Sequence, residues 1–208
     1  MSVDPRTVQT YDNSAEQMAN HFNNYGQGVA KKEIDLAFSF VTGPVGQVVE
    51  IGCGAGKDAA EIAAHSNNYL GFDPSSQLIG LAKNNNPGLK FIQSDGMAFE
   101  YPQNLTAVFA FASLLHLNKY DFAATCSRVA TALKIGGVLC ITLKEADDYS
   151  EIWQHDEFGE RLFYLYSAPL ATKLATSGTE LQLVHESHTV AGPKSKKWMC
   201  LVFQKTSR

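Results

Sequence analysis

The run Val48-Val49-Glu50-Ile51-Gly52-Cys53-Gly54-Ala55-Gly56 constrains this chain more than any other stretch, and Lys57-Asp58-Ala59-Ala60-Glu61-Ile62-Ala63-Ala64 follows it. A β-branched apolar run enters, alternate glycines turn the backbone, and an Ala-rich segment leaves. That pattern reads as a buried strand, a tight turn and a helix start. Glycine has no Cβ, so a ligand can approach the main chain closely. Free N–H groups and the helix dipole favour a negative group at such a turn. A dinucleotide fingerprint needs its third glycine where Lys57 stands. Glu50 also fits a pyrophosphate poorly and suits a ligand that carries positive charge beside a carboxylate.

With 208 residues, 45% hydrophobic and 18% charged, the chain is expected to form one globular domain, residues 1–208. A net charge of −4 argues against a nucleic-acid partner, which wants a basic face. Met1 to Thr7 contains no apolar signal core, and no apolar run approaches a membrane span. A cytoplasmic protein with no membrane partner is therefore expected. Cys53, Cys126, Cys140 and Cys200 are isolated, without C-x-x-C or Cys/His spacing, so no metal site is expected.

Residues 1–12 read as a polar lead-in. Helices are expected from Ser14 to Phe22, capped by Asn13, and from about Val29 to Val41, ended by Gly43-Pro44. Tyr69 to Asp73 is a second strand. Asp73 lies about 20 residues past the first glycine, the spacing at which an acid reaches ribose hydroxyls. Ser75 and Ser76 can cap the next helix. Leu89 to Gln93 forms strand three, followed by Ser94-Asp95-Gly96-Met97. Leu105 to Ala112 is apolar throughout and reads as a strand buried on both faces. Ser113-Leu114-Leu115-His116 follows, then a helix capped by Asn118 and stopped by Gly136-Gly137, then a strand from Val138 to Leu143. This β-α alternation implies a parallel sheet.

Residues 145–160 hold seven acids (Glu145, Asp147, Asp148, Glu151, Asp156, Glu157, Glu160) and no base. Such a run reads as a solvated face, or as an acidic lid that disfavours anionic substrates. Phe163-Tyr164-Leu165-Tyr166 leads to a helix near Ala168 to Thr176. Leu181 to His188 and Trp198 to Gln204 should pair antiparallel across a turn at Gly192-Pro193. The cluster Lys194, Lys196, Lys197 reads as a solvated hairpin.

The [Asp/Glu]-x-Gly-x-Gly-x-Gly pattern of Glu50 to Gly56 resembles motif I of the class I S-adenosylmethionine-dependent methyltransferases. The resemblance covers residues 11 to 144 well and the terminal hairpin in outline. It is similar also to small stand-alone bacterial methyltransferases, in which the Ser-Leu-Leu-His stretch, the Leu-Lys-Glu end of strand five and a Phe-Tyr-x-Tyr segment recur. It implies a Rossmann-like α/β fold: a seven-stranded, mostly parallel sheet of order 3-2-1-4-5-7-6, the last strand antiparallel, with helices on both faces. Residues 1–44 would cover the cofactor site, 45–144 would form the cofactor-binding core, and 145–208 the acceptor side and hairpin. By the same resemblance Tyr11 lies over the cofactor, S-adenosyl-L-methionine, and Asp95 accepts the adenine amino group with Met97 against the ring. The expected cofactor set is Tyr11, Glu50, Gly52, Cys53, Gly54, Gly56, Asp73, Pro74, Asp95, Gly96, Met97, Ala112 and Ser113.

Methyl transfer from a sulfonium is in-line displacement, so the protein supplies alignment and electrostatics. His116 is the candidate base, because an unperturbed pKa near 6.5 suits proton transfer. His155, Tyr164 and Tyr166 are further candidates for the acceptor pocket, whereas His65 and His185 have no evident role. Nucleic-acid amino-methyltransferases carry [Asp/Asn]-Pro-Pro-[Tyr/Phe] after strand four, where this chain has Ala112-Ser113-Leu114-Leu115. A small-molecule acceptor is therefore favoured. A protein or RNA acceptor, a non-catalytic cofactor-binding protein and a nicotinamide oxidoreductase are the alternatives, the last disfavoured by Lys57 and Glu50.

Overall fold

The computed structural model describes residues 3–24, 29–191 and 196–207. A seven-stranded sheet forms its centre. The strands are β1 (Val48–Ile51), β2 (Tyr69–Asp73), β3 (Lys90–Gln93), β4 (Leu105–Phe111), β5 (Leu133–Lys144), β8 (Leu181–Ala191) and β9 (Lys196–Lys205). Their order is β3-β2-β1-β4-β5-β9-β8. The first five run parallel, and β9 pairs antiparallel with β5 and β8. Counting only this sheet, the order is the 3-2-1-4-5-7-6 expected from the sequence.

β1 is buried at all four positions, as a central parallel strand covered on both faces must be. Successive side chains point to opposite faces. Val49, Val108 and Leu139 join one core with Phe122 and Val129 of α6 (Lys119–Ala132) and Ala171 of α7 (Ala168–Thr176). Val48, Phe109 and Cys140 join the other, with Ile34 of α3 (Val29–Ser39), Ile62 of α4 (Ala59–Ala63) and Ile79 of α5 (Ser76–Asn85). All four cysteines are buried and unpaired. Ser75 caps α5 by accepting from Leu78 N at 3.1 Å, and Asn118 caps α6 by accepting from Tyr120 N and Asp121 N.

Three local expectations fail. The lead-in is a helix, α1 (Pro5–Asn13), capped by Asp4 with Pro5 at its start. Asn13 therefore ends that helix rather than capping α2 (Ala15–Asn24). α1 buries only Thr7 in full, so it carries too little apolar signal to read as a helix. Gly136-Gly137 do not stop α6, which ends at Ala132; they lie inside β5. Gly136 has φ +76°, and a Cβ there would meet Thr42 Oγ1 at 1.6 Å. The pair thus serves a close approach within a strand.

The acidic stretch contains a hairpin, β6 (Ser150–Asp156) and β7 (Gly159–Leu165), paired antiparallel outside the main sheet. Its outer strand is polar and mostly exposed, which hid a strand behind a charge run. Three side-chain hydrogen bonds fasten α1 and the residue after it to the hairpin. Thr10 Oγ1 donates to Glu160 O at 2.7 Å, Ser14 Oγ to Phe158 O at 2.8 Å, and Leu162 N donates to Thr7 Oγ1 at 2.9 Å. The 192–193 turn and Lys194 lie outside the described residues. Among those residues no helix is long and apolar enough to cross a membrane.

Candidate active site

One cavity of about 630 Å³ opens at the carboxyl ends of β1, β2 and β4, where open α/β sheets hold ligands. The glycine turn forms its floor. Gly52, Gly54 and Gly56 have φ of +67°, +53° and +77°, which L side chains adopt only at a cost. A Cβ on Gly52 would lie 2.4 Å from Ser113 Cβ, whereas one on Gly54 would meet nothing within 4 Å. Gly52 thus lets β4's end approach the turn, and Gly54 leaves open space beside it. Gly56 does not line the cavity; its carbonyl accepts from Asn86 Nδ2 at 2.9 Å. The helix after the turn has only five residues, so a strong N-terminal dipole is not available there.

Two acids sit in this floor. Asp73 is 8% exposed. Its Oδ2 accepts from Gly54 N at 3.0 Å and its Oδ1 from Ser75 N at 2.9 Å. Burial raises its pKa to about 6, against the pull of those two N–H groups. Glu50 is buried beneath the turn and accepts a hydrogen bond from Tyr69 OH. Burial raises its pKa to about 8, with the Asp58 charge adding to the effect. Cys53 lies against Gly71 and is 5% exposed.

At the end of β4, Ala112 has φ +49°, strain of the kind that gathers at functional sites. Its N–H donates to Thr142 Oγ1 at 2.9 Å. The Ser113 hydroxyl lines the cavity, buried and without a hydrogen-bond partner. Such an orphan fits a site that completes its bonds with a ligand.

Of the expected cofactor set, Tyr11, Glu50, Gly52, Cys53, Gly54, Asp73, Pro74, Gly96, Ala112 and Ser113 line the cavity. Gly56, Asp95 and Met97 do not. Asp95 Oδ1 accepts from Met97 N at 2.8 Å and Ala98 N at 2.9 Å, which shapes the turn that presents Gly96. Arg128 braces that turn through Met97 O and Phe99 O.

His116 closes the other wall, in a short 3-10 turn, Leu114–His116. The Leu162 carbonyl, 2.6 Å from Nδ1, can only accept, so Nδ1 carries the proton. Nε2 then accepts from Tyr11 OH at 2.9 Å. Burial, aided by the charges of Lys144 and Arg161, lowers the ring's pKa to about 3. The pKa near 6.5 that recommended His116 as a base does not hold in the folded chain.

Sequence reasoning missed several residues. Asp12 ties α1 to α5 by accepting from Ser75 Oγ at 2.7 Å and Gln77 N at 3.1 Å, which seats Tyr11. Lys144, Gln154, Phe158 and Arg161 line the cavity from β5 and the hairpin. Arg161 follows directly on the acidic run, and that switch of sign is its one signal in the sequence. Of the seven acids, only Asp156 and Glu157 reach the cavity. His155 is exposed, Tyr164 stacks on Tyr149, and Tyr166 is buried with its OH on Leu117 O at 2.5 Å. None of the three lines the cavity.

The fold is that of the S-adenosylmethionine-dependent methyltransferases. Residues 48–137 match the family model described as a methyltransferase domain. A search of curated proteins gave no match. Among solved structures, an S-adenosylmethionine-dependent methyltransferase from Methanosarcina mazei aligns at 16% identity and a TM-score of 0.71, over 83% of this chain and 98% of its own. One from Leishmania major aligns at 12% and 0.75, over 96% and 82%. The 1,6-didemethyltoxoflavin-N1-methyltransferase of Burkholderia thailandensis, solved with that acceptor and S-adenosylhomocysteine, aligns at 16% and 0.73, over 96% and 88%.

Proposed function

We propose that this protein binds S-adenosyl-L-methionine and moves its methyl group to a small-molecule nucleophile held in the same cavity. The observation that carries this reading is the continuity of one cavity. It runs from the glycine turn with Glu50 and Asp73 to the Tyr11–His116 pair and the hairpin. Asp73 would hold the ribose hydroxyls, Glu50 the positive end of the amino-acid moiety, and Gly96 the adenine edge. Ser113 supplies a hydroxyl beside the turn. Asp95 and Met97 act by shaping the Gly96 turn, and Gly56 by packing α5 against it. Residues 1–44 cover the site, 45–144 form its floor, and 145–208 add the acceptor wall.

The bound cofactor supplies an activated methyl on a sulfonium, so the chain need only align the acceptor and exclude water. The buried walls exclude water; Tyr11, fixed by His116, and the aromatic rings of the hairpin align. His116 is a positioning residue in this scheme. Its depressed pKa makes it a poor proton acceptor at neutral pH, and its Nε2 already accepts from Tyr11. Small acceptors are supported by the cavity's volume of about 630 Å³ and by the Burkholderia thailandensis neighbour, whose bound acceptor is 1,6-didemethyltoxoflavin.

The test is calorimetry with S-adenosylmethionine and S-adenosylhomocysteine, followed by turnover with a panel of small acceptors. Binding with turnover supports the reading. Binding without turnover on any small, peptide or RNA acceptor would favour a cofactor-binding protein without catalysis, and no binding would remove the reading altogether.

A further inference from the structure

The hairpin end of the cavity is lined by two cations. Arg161, on β7, is 4% exposed. Its guanidinium pairs with Asp156 through Nη2, while Nε is buried and has no hydrogen-bond partner. A buried charged donor left unsatisfied is costly, and the charge is permanent, because guanidinium does not lose its proton in proteins. Lys144, at the end of β5, lines the same space with Nζ 3.3 Å from the centre of the Phe163 ring. The guanidinium carbon of Arg161 lies 5.5 Å from that same centre. Both cations therefore flank one ring, beside Tyr11 and Phe158, whose ring centres lie 5.6 Å from the guanidinium carbon.

Two acids share this end and offset the net charge, so what Arg161 keeps for a ligand is its unsatisfied Nε donor. Asp156 is engaged by Arg161 and by Gln154 Nε2 at 2.7 Å, and Glu157 is exposed at the hairpin turn. The other acids of the run lie outside the cavity. The ring of His116 feels the same field, since both cations disfavour its protonation.

The geometry points to an oxyanion subsite: the acceptor carries a carboxylate or phosphoryl group that docks on Arg161 Nε, with Lys144 as second cation and the aromatic rings against its body. This rests on the reading that the cavity holds acceptor and cofactor together. It reverses the expectation that the acidic run turns anions away. Guanidinium is the side chain best shaped for either anion, so the probes must separate the two.

The experiment uses the full chain saturated with S-adenosylhomocysteine and titrates benzoate, phenylphosphonate and benzamide by calorimetry. At least one anion should bind about tenfold or more tightly than neutral benzamide. Benzoate winning identifies a carboxylate, and phenylphosphonate a phosphoryl group. The preference should vanish in Arg161→Gln, return in part in Arg161→Lys, and shrink in Lys144→Met. If Arg161→Gln does not fold, Lys144→Met alone still reads the effect. Benzamide binding as well as both anions, no anion binding at tens of millimolar, or a preference that survives these substitutions would overturn the subsite. S-adenosylhomocysteine affinity is measured first in the same cell. Failure there sinks the functional reading, whereas cofactor binding without anion preference sinks only the subsite.

Discussion

The two ends of the cavity are made of different materials. At the cofactor end the ligand surface is largely main chain, shaped by glycines at positive φ and backed by two buried acids, Glu50 and Asp73. At the hairpin end it is side chain, with Tyr11, His116, Lys144 and Arg161 brought from four separate elements. A main-chain surface needs residues close together in sequence, so it leaves a motif. A side-chain surface needs only that distant elements meet, so it leaves none. The first end is suited to one cofactor shared by a fold.

Substitutions should separate the two ends, beginning with the largest effect. Gly52→Val places a branched Cβ at φ +67° and 2.4 Å from Ser113 Cβ. Left-handed backbone alone costs roughly 1–2 kcal/mol, and the clash adds to it. S-adenosylhomocysteine affinity should fall by about 100-fold or more, with a lower melting temperature. Normal affinity would show that the turn does not shape the cofactor end. Asp73→Ala should weaken the same ligand by about 1.5–3 kcal/mol, the range for hydrogen bonds to a charged group. It should leave the binding of anionic probes at the hairpin end unchanged; an equal loss at both ends would mean that they are one unit.

Acid should separate the two ends by the sign of their titrations. The folded His116 ring has its pKa near 3 against an ordinary 6.5. The unfolded chain therefore takes up a proton that the folded chain refuses. Stability from this group is full above pH 6.5 and falls by about 1.4 kcal/mol per unit on the way down to pH 3. Asp73 and Glu50 have raised values, so they act the other way, favouring the fold as pH falls through 8 and 6 toward the ordinary carboxylate range. Denaturant midpoints of wild type and His116→Gln across this window isolate the histidine's share. Identical slopes would refute its depressed pKa.

Tyr11→Phe leaves His116 Nε2 buried without its donor, at a cost of about 1–3 kcal/mol of stability. Turnover should drop with little change in cofactor affinity, whereas a large affinity loss would place Tyr11 against the cofactor instead. His155→Ala, on the exposed side of the hairpin, should change stability by less than about 0.5 kcal/mol and activity not at all.

The same contrast explains what was legible in the sequence. Glycines at 52, 54 and 56, Asp73 after β2 and the apolar run of β4 each follow from a local rule, and the strand order follows from β-α alternation. α1 was hidden because it packs Thr7 and Tyr11 rather than an apolar stripe. The hairpin was hidden because β6 is polar and exposed. With those two elements unread, Tyr11 could not be paired with His116, and Arg161 could not be placed beside Lys144. His116 was found at its position but not in its protonation state, because burial and two remote cations set that pKa.

The most direct measurement is calorimetric titration of the purified chain with S-adenosylhomocysteine, wild type beside Asp73→Ala. One site per chain, weakened about tenfold or more by the substitution, is the result expected from a cofactor held at the glycine turn. Absence of binding at millimolar ligand, or equal affinity in the two proteins, would contradict it.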